Sequence, residues 1–453
     1  MKINGKEIKI NRANAVISEV DTAYCELLQY ILDNGVRTNN RTGIDTIAIA
    51  NWQHIFDLSK GFPIMETKKV NAKNFASEIQ WIHQVQSNEV KWLQDRDNPV
   101  WNQWVVDEDG IYRIYEQGEN AINDPDKEVI CKKQVFNPEN GEIIKVPYLD
   151  ENGKEIMVKP FTECDDKGNK LTIREAIYFG KEYAGTIGEA YGYINNLYKM
   201  PQCVEYRLKN NPTDRRMIIN LWQNAHLPKA VLPSCVFLDI FKTTPDGKLH
   251  SNVTQRSADV PLGVPFNIAQ YALIHNMFAK ANGYEVGTMA WNIQDTHIYV
   301  NQLEGIKKQL QRYRYMQEYS RTIQEKSDYF IEDMYENLCT QFNKLHEFVR
   351  GLINTEDLDN MPFSKRIKAL KERNNQEIAK DYEEAFERKL CLEHMLTRET
   401  PVLELAEHDS FFDYSTEYVK KGDPYLNENP IGNKELVLKN YHPTPFISMP
   451  IAQ

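Results

Sequence analysis

The chain has 453 residues, 41% of them hydrophobic and 26% charged, with a net charge of −11 and a pI of about 5.5. A chain of this length can bury a large core without disulfide staples, and its acidic balance argues against a protein that coats nucleic acid, which would be basic. No stretch approaches the ~20 apolar residues of a membrane span, the opening MKINGKEIKI lacks a signal-peptide run, and seven scattered cysteines without a CxxC pair point to a reducing, cytoplasmic setting without structural zinc.

In chain order, Tyr24, Leu27, Leu28, Ile31 and Leu32 fall at helical spacing, and Asn34 with Gly35 supplies a stop. The loop NNRTGID leads into IAIANWQHIFDL, which predicts a strand. A helix is expected from Asn74 to Trp92, with Phe75, Ile79, Ile82 and Val85 on one face, and an aromatic-rich loop from Pro99 to Trp104. From Asp107 to Gly185 the chain is rich in Asp, Glu, Lys, Asn and Gly, and Asn-Gly turns separate short strand-like pieces. A β-rich insertion is expected over residues 111–184.

MIINLWQ, from Met217, reads as a buried strand. Val236 to Lys242 and Leu249 to Thr254 form a predicted β-hairpin around the turn Thr244-Pro245-Asp246-Gly247. Phe266 to Ala281 predicts a helix and Met289 to Val300 a strand. A second insertion, residues 313–397, reads as two long helices: Ile331, Met334, Leu338, Phe342, Leu345, Phe348 and Leu352 keep spacings of three and four, and a charged helix follows from Ser364 to about Met395. An αα-hairpin packed on the main body is the plain reading, a partner-binding appendage the sharper one. The proline-punctuated terminus YHPTPFISMPIAQ is not regular helix.

Several side chains are candidates for chemistry. Cys235 sits where a loop feeds a strand; it is a small buried hydrophobe or, with a cation nearby, a nucleophile. The returning hairpin strand ends in Gln255-Arg256-Ser257-Ala258-Asp259, so Arg256 can sit beside Cys235 to stabilise a thiolate or bind phosphate. Asp214-Arg215-Arg216 is a solvated turn or a dianion site, and Arg41 lies on a Gly-containing loop. His297 and Tyr299 are two apart on a predicted strand and so share a face. Asn267 opens a helix and either caps it or, with both donor and acceptor, reads a uracil edge, and Glu78 on an otherwise apolar helix face is a surface carboxylate or a candidate acid/base.

The order of these pieces carries more than any one of them. Arg41-Thr-Gly, FDLSKGFPIMETKKV, Glu78 with Trp81, Trp101-x-x-Trp104, Tyr191-Gly192, Asp214-Arg215-Arg216, Pro233-x-Cys235, QRSADVPLGVPFNIAQYAL, DTHIY and a final NYHP together resemble the thymidylate synthase family, over most of the chain outside the two insertions. The resemblance implies an α/β fold with a large twisted mixed sheet, flanking helices and a homodimer formed on the back of the sheet. It implies attack of Cys235 on carbon 6 of dUMP and capture of a one-carbon unit from 5,10-methylenetetrahydrofolate at carbon 5, with no metal. Carried over by motif, Arg41, Gln255, Arg256 and Ser257 belong to the nucleotide site, Arg215 and Arg216 reach across the dimer, Asn267 reads the base, and His297 and Tyr299 bind the sugar. Glu78 and Tyr191 handle protons. Trp101, Trp104, Asp259, Leu262, Gly263 and Phe266 meet the folate, and the tail through Ala452 closes over it.

The sequence departs from the family pattern in places. Val236 stands after the nucleophile where His is usual, Tyr191-Gly192-Tyr193-Ile194-Asn195-Asn196 replaces YGxQWR, and Trp291-Asn292-Ile293-Gln294-Asp295 replaces the usual Gly-Gly-Asp. Trp-Asn ahead of the His-x-Tyr pair is similar to the phage deoxycytidylate hydroxymethylases, whereas Asn267 favours uracil. The expected product is accordingly 5-hydroxymethyl-dUMP, with thymidylate as the alternative and a catalytically weak nucleotide- or partner-binding protein as a reading of another class.

Overall fold

The computed structural model describes residues 1–3, 5–40, 43–116, 124, 126–160, 172–353 and 358–451. The expected α/β architecture is present. A six-stranded mixed sheet runs in the order Ile218–Asn220, Val236–Thr243, Lys248–Asp259, Glu285–Tyr299, Thr46–Asp57, Val36–Thr38. Neighbours are antiparallel except Lys248–Asp259 and Glu285–Tyr299, which are parallel. A parallel pair needs a crossover, and the Gly263–Ala281 helix supplies it. This helix lies between the sheet and the Ala72–Gln80 helix and is buried almost all round, which is why its sequence is apolar on every face rather than along one stripe.

The hairpin turn places Cys235. Thr244 N–H donates to the Lys248 carbonyl at 2.9 Å, and Gly247 takes φ +81°, a conformation that favours glycine. The register then pairs Val236 with Gln255, with a bulge before Leu238. Arg256 N–H donates to the Cys235 carbonyl at 2.9 Å. Residues twenty-one apart in sequence are thus neighbours by strand pairing.

The helix expected over Asn74–Trp92 is shorter. It spans Ala72–Gln80, passes into a π-turn at Trp81–Val85 and stops where Gln86 adopts φ +59°. Trp81 Nε1 donates to the Glu89 carbonyl at 3.1 Å, which ties the ring to the chain beyond the stop. Between residues 111 and 178, the strands Ile111–Tyr115, Ile173–Tyr178, Val129–Phe136 and Ile143–Pro147 pair in that order into a second sheet. Tyr148 and Tyr178 stack across it with ring centroids 4.1 Å apart.

Helices Leu303–Glu325, Asp328–Ile353, Phe363–Glu372 and Gln376–Thr397 follow. The first runs through Tyr313 without a break, and Ile306, Leu310 and Tyr313 pack into the main core. The single helix expected over Ser364–Met395 is two, separated where Asn374 takes φ +60°. Among the described residues the tail has no regular structure beyond Lys439. It is pinned where Thr444 N–H donates to the Glu66 carbonyl at 2.9 Å and Arg312 donates to the Pro445 carbonyl at 2.6 Å. Among the described residues no helix is long and apolar enough to cross a membrane.

Candidate active site

Cys235 is half-buried and lines a small recess together with Glu78, Tyr191, Val236, Asn267 and Gln270. Arg256 is fixed against it. Its Nε donates to the Ser234 carbonyl at 3.0 Å, and Nη2 donates to the Pro233 carbonyl at 2.9 Å and lies 3.7 Å from Cys235 Sγ. The guanidinium also faces the Trp222 ring at 5.6 Å. A permanent cation is thereby held next to the sulfur by backbone acceptors on the loop that carries Cys235.

Tyr191 meets the same loop from the other side, its hydroxyl accepting from Cys235 N–H at 2.9 Å. Its backbone sits at φ +49°, ψ −106°, a strained conformation for a residue other than glycine. The next residue must be small: a Cβ on Gly192 would lie 1.9 Å from the Ser87 carbonyl oxygen. Strained backbone and close packing together hold the phenol at Cys235. Burial pushes the Tyr191 hydroxyl well above the ordinary tyrosine range, so it is a neutral proton carrier at physiological pH.

Glu78 is buried at the recess. One carboxylate oxygen accepts from Trp101 Nε1 at 2.7 Å and the other from Gln270 Nε2 at 2.9 Å. Burial raises its pKa to about 7, although both hydrogen bonds favour the ionised form. A carboxyl poised near neutrality can both take and give a proton. Trp101 packs edge-on against Trp104 and Tyr191, with centroids 5.7 and 5.3 Å away. Asn267 continues the network: its Nδ2 donates to Gln270 Oε1 at 2.9 Å, and its Oδ1 accepts from Gln255 Nε2 at 3.3 Å.

Around the parallel strand pair, Asp259 lies opposite His297 and Ser257 opposite Asp295. Ser257 Oγ donates to Asp295 Oδ2 at 2.9 Å, and His297 Nδ1 lies 3.4 Å from the same oxygen without hydrogen-bond geometry. These neighbours hold the Asp295 carboxyl below the usual range. His297 and Tyr299 meet edge to face at 5.3 Å, as their spacing of two predicts. Asp259 accepts twice from Gln302 Nε2, at 3.1 and 3.0 Å, and the same nitrogen donates to the Pro450 carbonyl at 3.0 Å, so Gln302 links Asp259 to the tail. Burial raises the Asp259 pKa. Leu262 and Gly263 open the crossover helix, and Phe266, one turn on, sits edge-on to Phe75 at 6.2 Å.

Arg215 and Arg216 do not join this group within the chain. They precede Ile218, which pairs with Ile240, five residues along the strand from Cys235, a separation of roughly 17 Å at strand rise. Both are exposed, and Asp214 binds Arg216 through Nε at 3.0 Å and Nη2 at 2.9 Å. Arg41 and Ala452 lie outside the described residues.

The sequence reading missed Gln270, Gln302 and Lys68. Gln270 had a usable signal, since it lies three residues after Asn267 on a helix and so on the same face. Gln302 had none, and Lys68 stands in the FDLSKGFPIMETKKV motif with no spacing that ties it to Asp259. Lys68 is buried beside Asp259 and donates to the Pro261 carbonyl, and its pKa is pushed down to about 8 by burial. Among the described residues no group of three or more His, Cys, Asp or Glu could hold a metal ion.

A family model described as thymidylate synthase matches residues 22–342. The thymidylate synthase of Listeria monocytogenes serotype 4a (strain HCC23) is 34% identical over 295 residues, which cover 64% of this chain and 86% of that protein. The thymidylate synthase of Listeria innocua serovar 6a gives the same identity, length and coverage. The solved thermostable thymidylate synthase A from Bacillus subtilis covers 65% of this chain and 84% of its own at 26% identity, with a TM-score of 0.44. The chain belongs to the thymidylate synthase family and is a one-carbon transferase that acts at carbon 5 of dUMP with methylenetetrahydrofolate as cosubstrate.

Proposed function

We propose that the chain makes thymidylate, with dihydrofolate as the second product, and that Cys235 is its nucleophile. The observation that carries this reading is the convergence on one recess of Cys235, the Arg256 guanidinium 3.7 Å from its sulfur, and Glu78 poised at about 7. The relatives are thymidylate synthases by name, which supports the methyl product over the hydroxymethyl one.

Addition of Cys235 Sγ to carbon 6 places electron density on carbon 5 and the carbonyl at carbon 4. Arg256 stabilises the charge on sulfur before attack and again when the thiolate leaves. When bound, methylenetetrahydrofolate supplies the one-carbon unit and, for thymidylate, the hydride. Glu78 and Tyr191 move protons within the recess, the first as a carboxyl titrating near neutrality, the second as a phenol held neutral. Trp101, Trp104 and Phe266 offer aromatic surface for a pterin, and Asp259 offers a carboxylate. The Gln302 link to Pro450 holds the tail where it can exclude water. Arg215 and Arg216, too far from Cys235 in their own chain, suit the phosphate of a neighbouring subunit in a homodimer.

Hydroxymethylation is the second reading, favoured by Val236. It lines the recess beside Cys235 and offers no polar group there. Asn292, the other residue behind that reading, is turned to Asn252 and the Val253 carbonyl, at 2.8 and 3.0 Å. The test is absorbance and mass spectrometry of a reaction with dUMP and methylenetetrahydrofolate. One dihydrofolate per methylated nucleotide is expected. Hydroxymethylated nucleotide with tetrahydrofolate would transfer the assignment to the second reading.

A further inference from the structure

We propose that Gln270 is a positioning residue that sets base preference, by fixing which way round Asn267 presents its amide to the pyrimidine. The proposal rests on the reading of Asn267 as the group that meets the base edge.

Four side chains form one hydrogen-bonded line. Gln270 Nε2 donates to Glu78 Oε2 at 2.9 Å, Asn267 Nδ2 donates to Gln270 Oε1 at 2.9 Å, and Gln255 Nε2 donates to Asn267 Oδ1 at 3.3 Å. Gln270 and Gln255 are both buried, at 2% exposure each, so water does not compete for their amides.

The direction of the line is set at one end. Ionised Glu78 only accepts, which turns the Gln270 NH2 group to it. The Phe75 carbonyl, 3.5 Å from the same nitrogen, accepts whether or not Glu78 is protonated and keeps the NH2 group on that side. Gln270 is left with its oxygen towards Asn267, which answers with Nδ2 and turns Oδ1 to Gln255. Reversing Asn267 alone would set NH2 against NH2 at Gln255 and oxygen against oxygen at Gln270, leaving buried groups unmatched.

With one N–H and one lone pair engaged, Asn267 keeps one of each for a ligand, in a fixed order. Uracil offers an acceptor at carbon 4 and an N–H at position 3. Cytosine offers the opposite pair, an amine and a bare ring nitrogen. An amide free to rotate would serve both, whereas a tethered one rejects the base whose donors and acceptors are interchanged. Gln270 thus ties the base-reading group to the acid/base group, one helical turn being enough to span them.

The experiment measures tritium release from carbon 5 of labelled dUMP and dCMP by the full chain, a readout common to methyl and hydroxymethyl products. Where dCMP turnover is undetectable, its inhibition constant against dUMP replaces it. Gln270→Met should lower the preference for dUMP over dCMP by about tenfold or more, with the KM for methylenetetrahydrofolate unmoved. Gln255→Met, which removes the other tether, should shift the preference the same way and covers the case in which Gln270→Met does not fold. An unchanged preference in the folded variants, with both rates lowered equally or not at all, overturns the proposal. Asn267→Asp separates the two ideas. If it leaves the wild-type preference intact, the base-reading role itself fails; if it moves preference towards dCMP while the tether variants do not, the tether alone fails.

Discussion

The recess at Cys235 and the helical region after residue 303 are built on opposite plans. The recess gathers Glu78, Trp101, Tyr191, Cys235, Arg256 and Asn267 from distant stretches of chain, and each polar group is fixed by another. The helices hold together largely by packing on one another, with Gln376–Thr397 lying against both Leu303–Glu325 and Asp328–Ile353. Val349, Ile353, Leu358, Ile367, Leu370, Ala379 and Tyr382 form a core of their own, and most ion pairs there are exposed. Buried ties reach the main body: Arg312 holds Glu387 at 2.6 and 3.0 Å and also bonds Thr444 and Pro445 of the tail. The contrast separates two kinds of sensitivity. Changes in the recess should remove activity from a folded protein, and changes in the helices should remove stability from an active one.

The largest expected effect is that of Cys235→Ala, which should lower turnover by roughly 10⁴-fold or more with the melting temperature little changed. A variant that unfolds instead would return Cys235 to the role of a packing residue. Glu78→Gln comes next and should lower kcat by about 10²–10⁴-fold. If the carboxylate is the working base, the wild-type rate rises as pH rises through about 7, where Glu78 ionises, and the variant loses that limb of the pH profile. The same limb in both would assign it to another group.

Glu387→Gln tests the other side of the comparison. It leaves Arg312 buried without its ion pair, at a cost of about 3 kcal/mol in urea unfolding, while kcat per folded molecule is retained. The Arg312 and Lys308 cations hold the Glu387 carboxyl below the usual range, against the burial that raises it. Its contribution is therefore present above the ordinary carboxylate pKa and lost as pH falls through the depressed one. The smallest effect is a gain. Asp239 is fully buried, neither carboxyl oxygen has a hydrogen-bond partner among the described residues, and burial drives its pKa well above the usual range. The folded state then holds a proton that the unfolded state releases, so stability falls as pH rises above the ordinary carboxylate pKa. Asp239→Asn should stabilise the protein by about 1–3 kcal/mol at pH 7 and change little at pH 3. Equal stabilities at both pH values would show that Asp239 finds a partner in solution.

What was legible in the sequence followed from local rules. The turn Thr244–Gly247 and the alternation around it put Arg256 beside Cys235, and the spacing of His297 and Tyr299 put both on one face. The hidden features come from tertiary contacts. The Asn74–Trp92 periodicity carries no mark of the π-turn, which the Trp81 bond to the Glu89 carbonyl accompanies. The break at Asn374 was signalled by Asn374-Asn375, but the charged pattern on either side reads through it. Asp239 occupies a position that strand alternation assigns to an apolar side chain. The link from Asp259 through Gln302 to Pro450 joins residues up to 191 positions apart, and no spacing rule reaches so far.

Everything proposed for the recess turns on a covalent bond from Cys235 to the pyrimidine during one-carbon transfer. It is tested most directly by mass spectrometry of the full chain incubated with 5-fluoro-dUMP and methylenetetrahydrofolate. The fluorine at carbon 5 cannot leave as a proton does, so the adduct should accumulate, one nucleotide per chain, on the peptide that contains Cys235. It should be absent from Cys235→Ala. A folded wild-type protein that binds the nucleotide without an adduct, or carries it on another residue, would contradict the account.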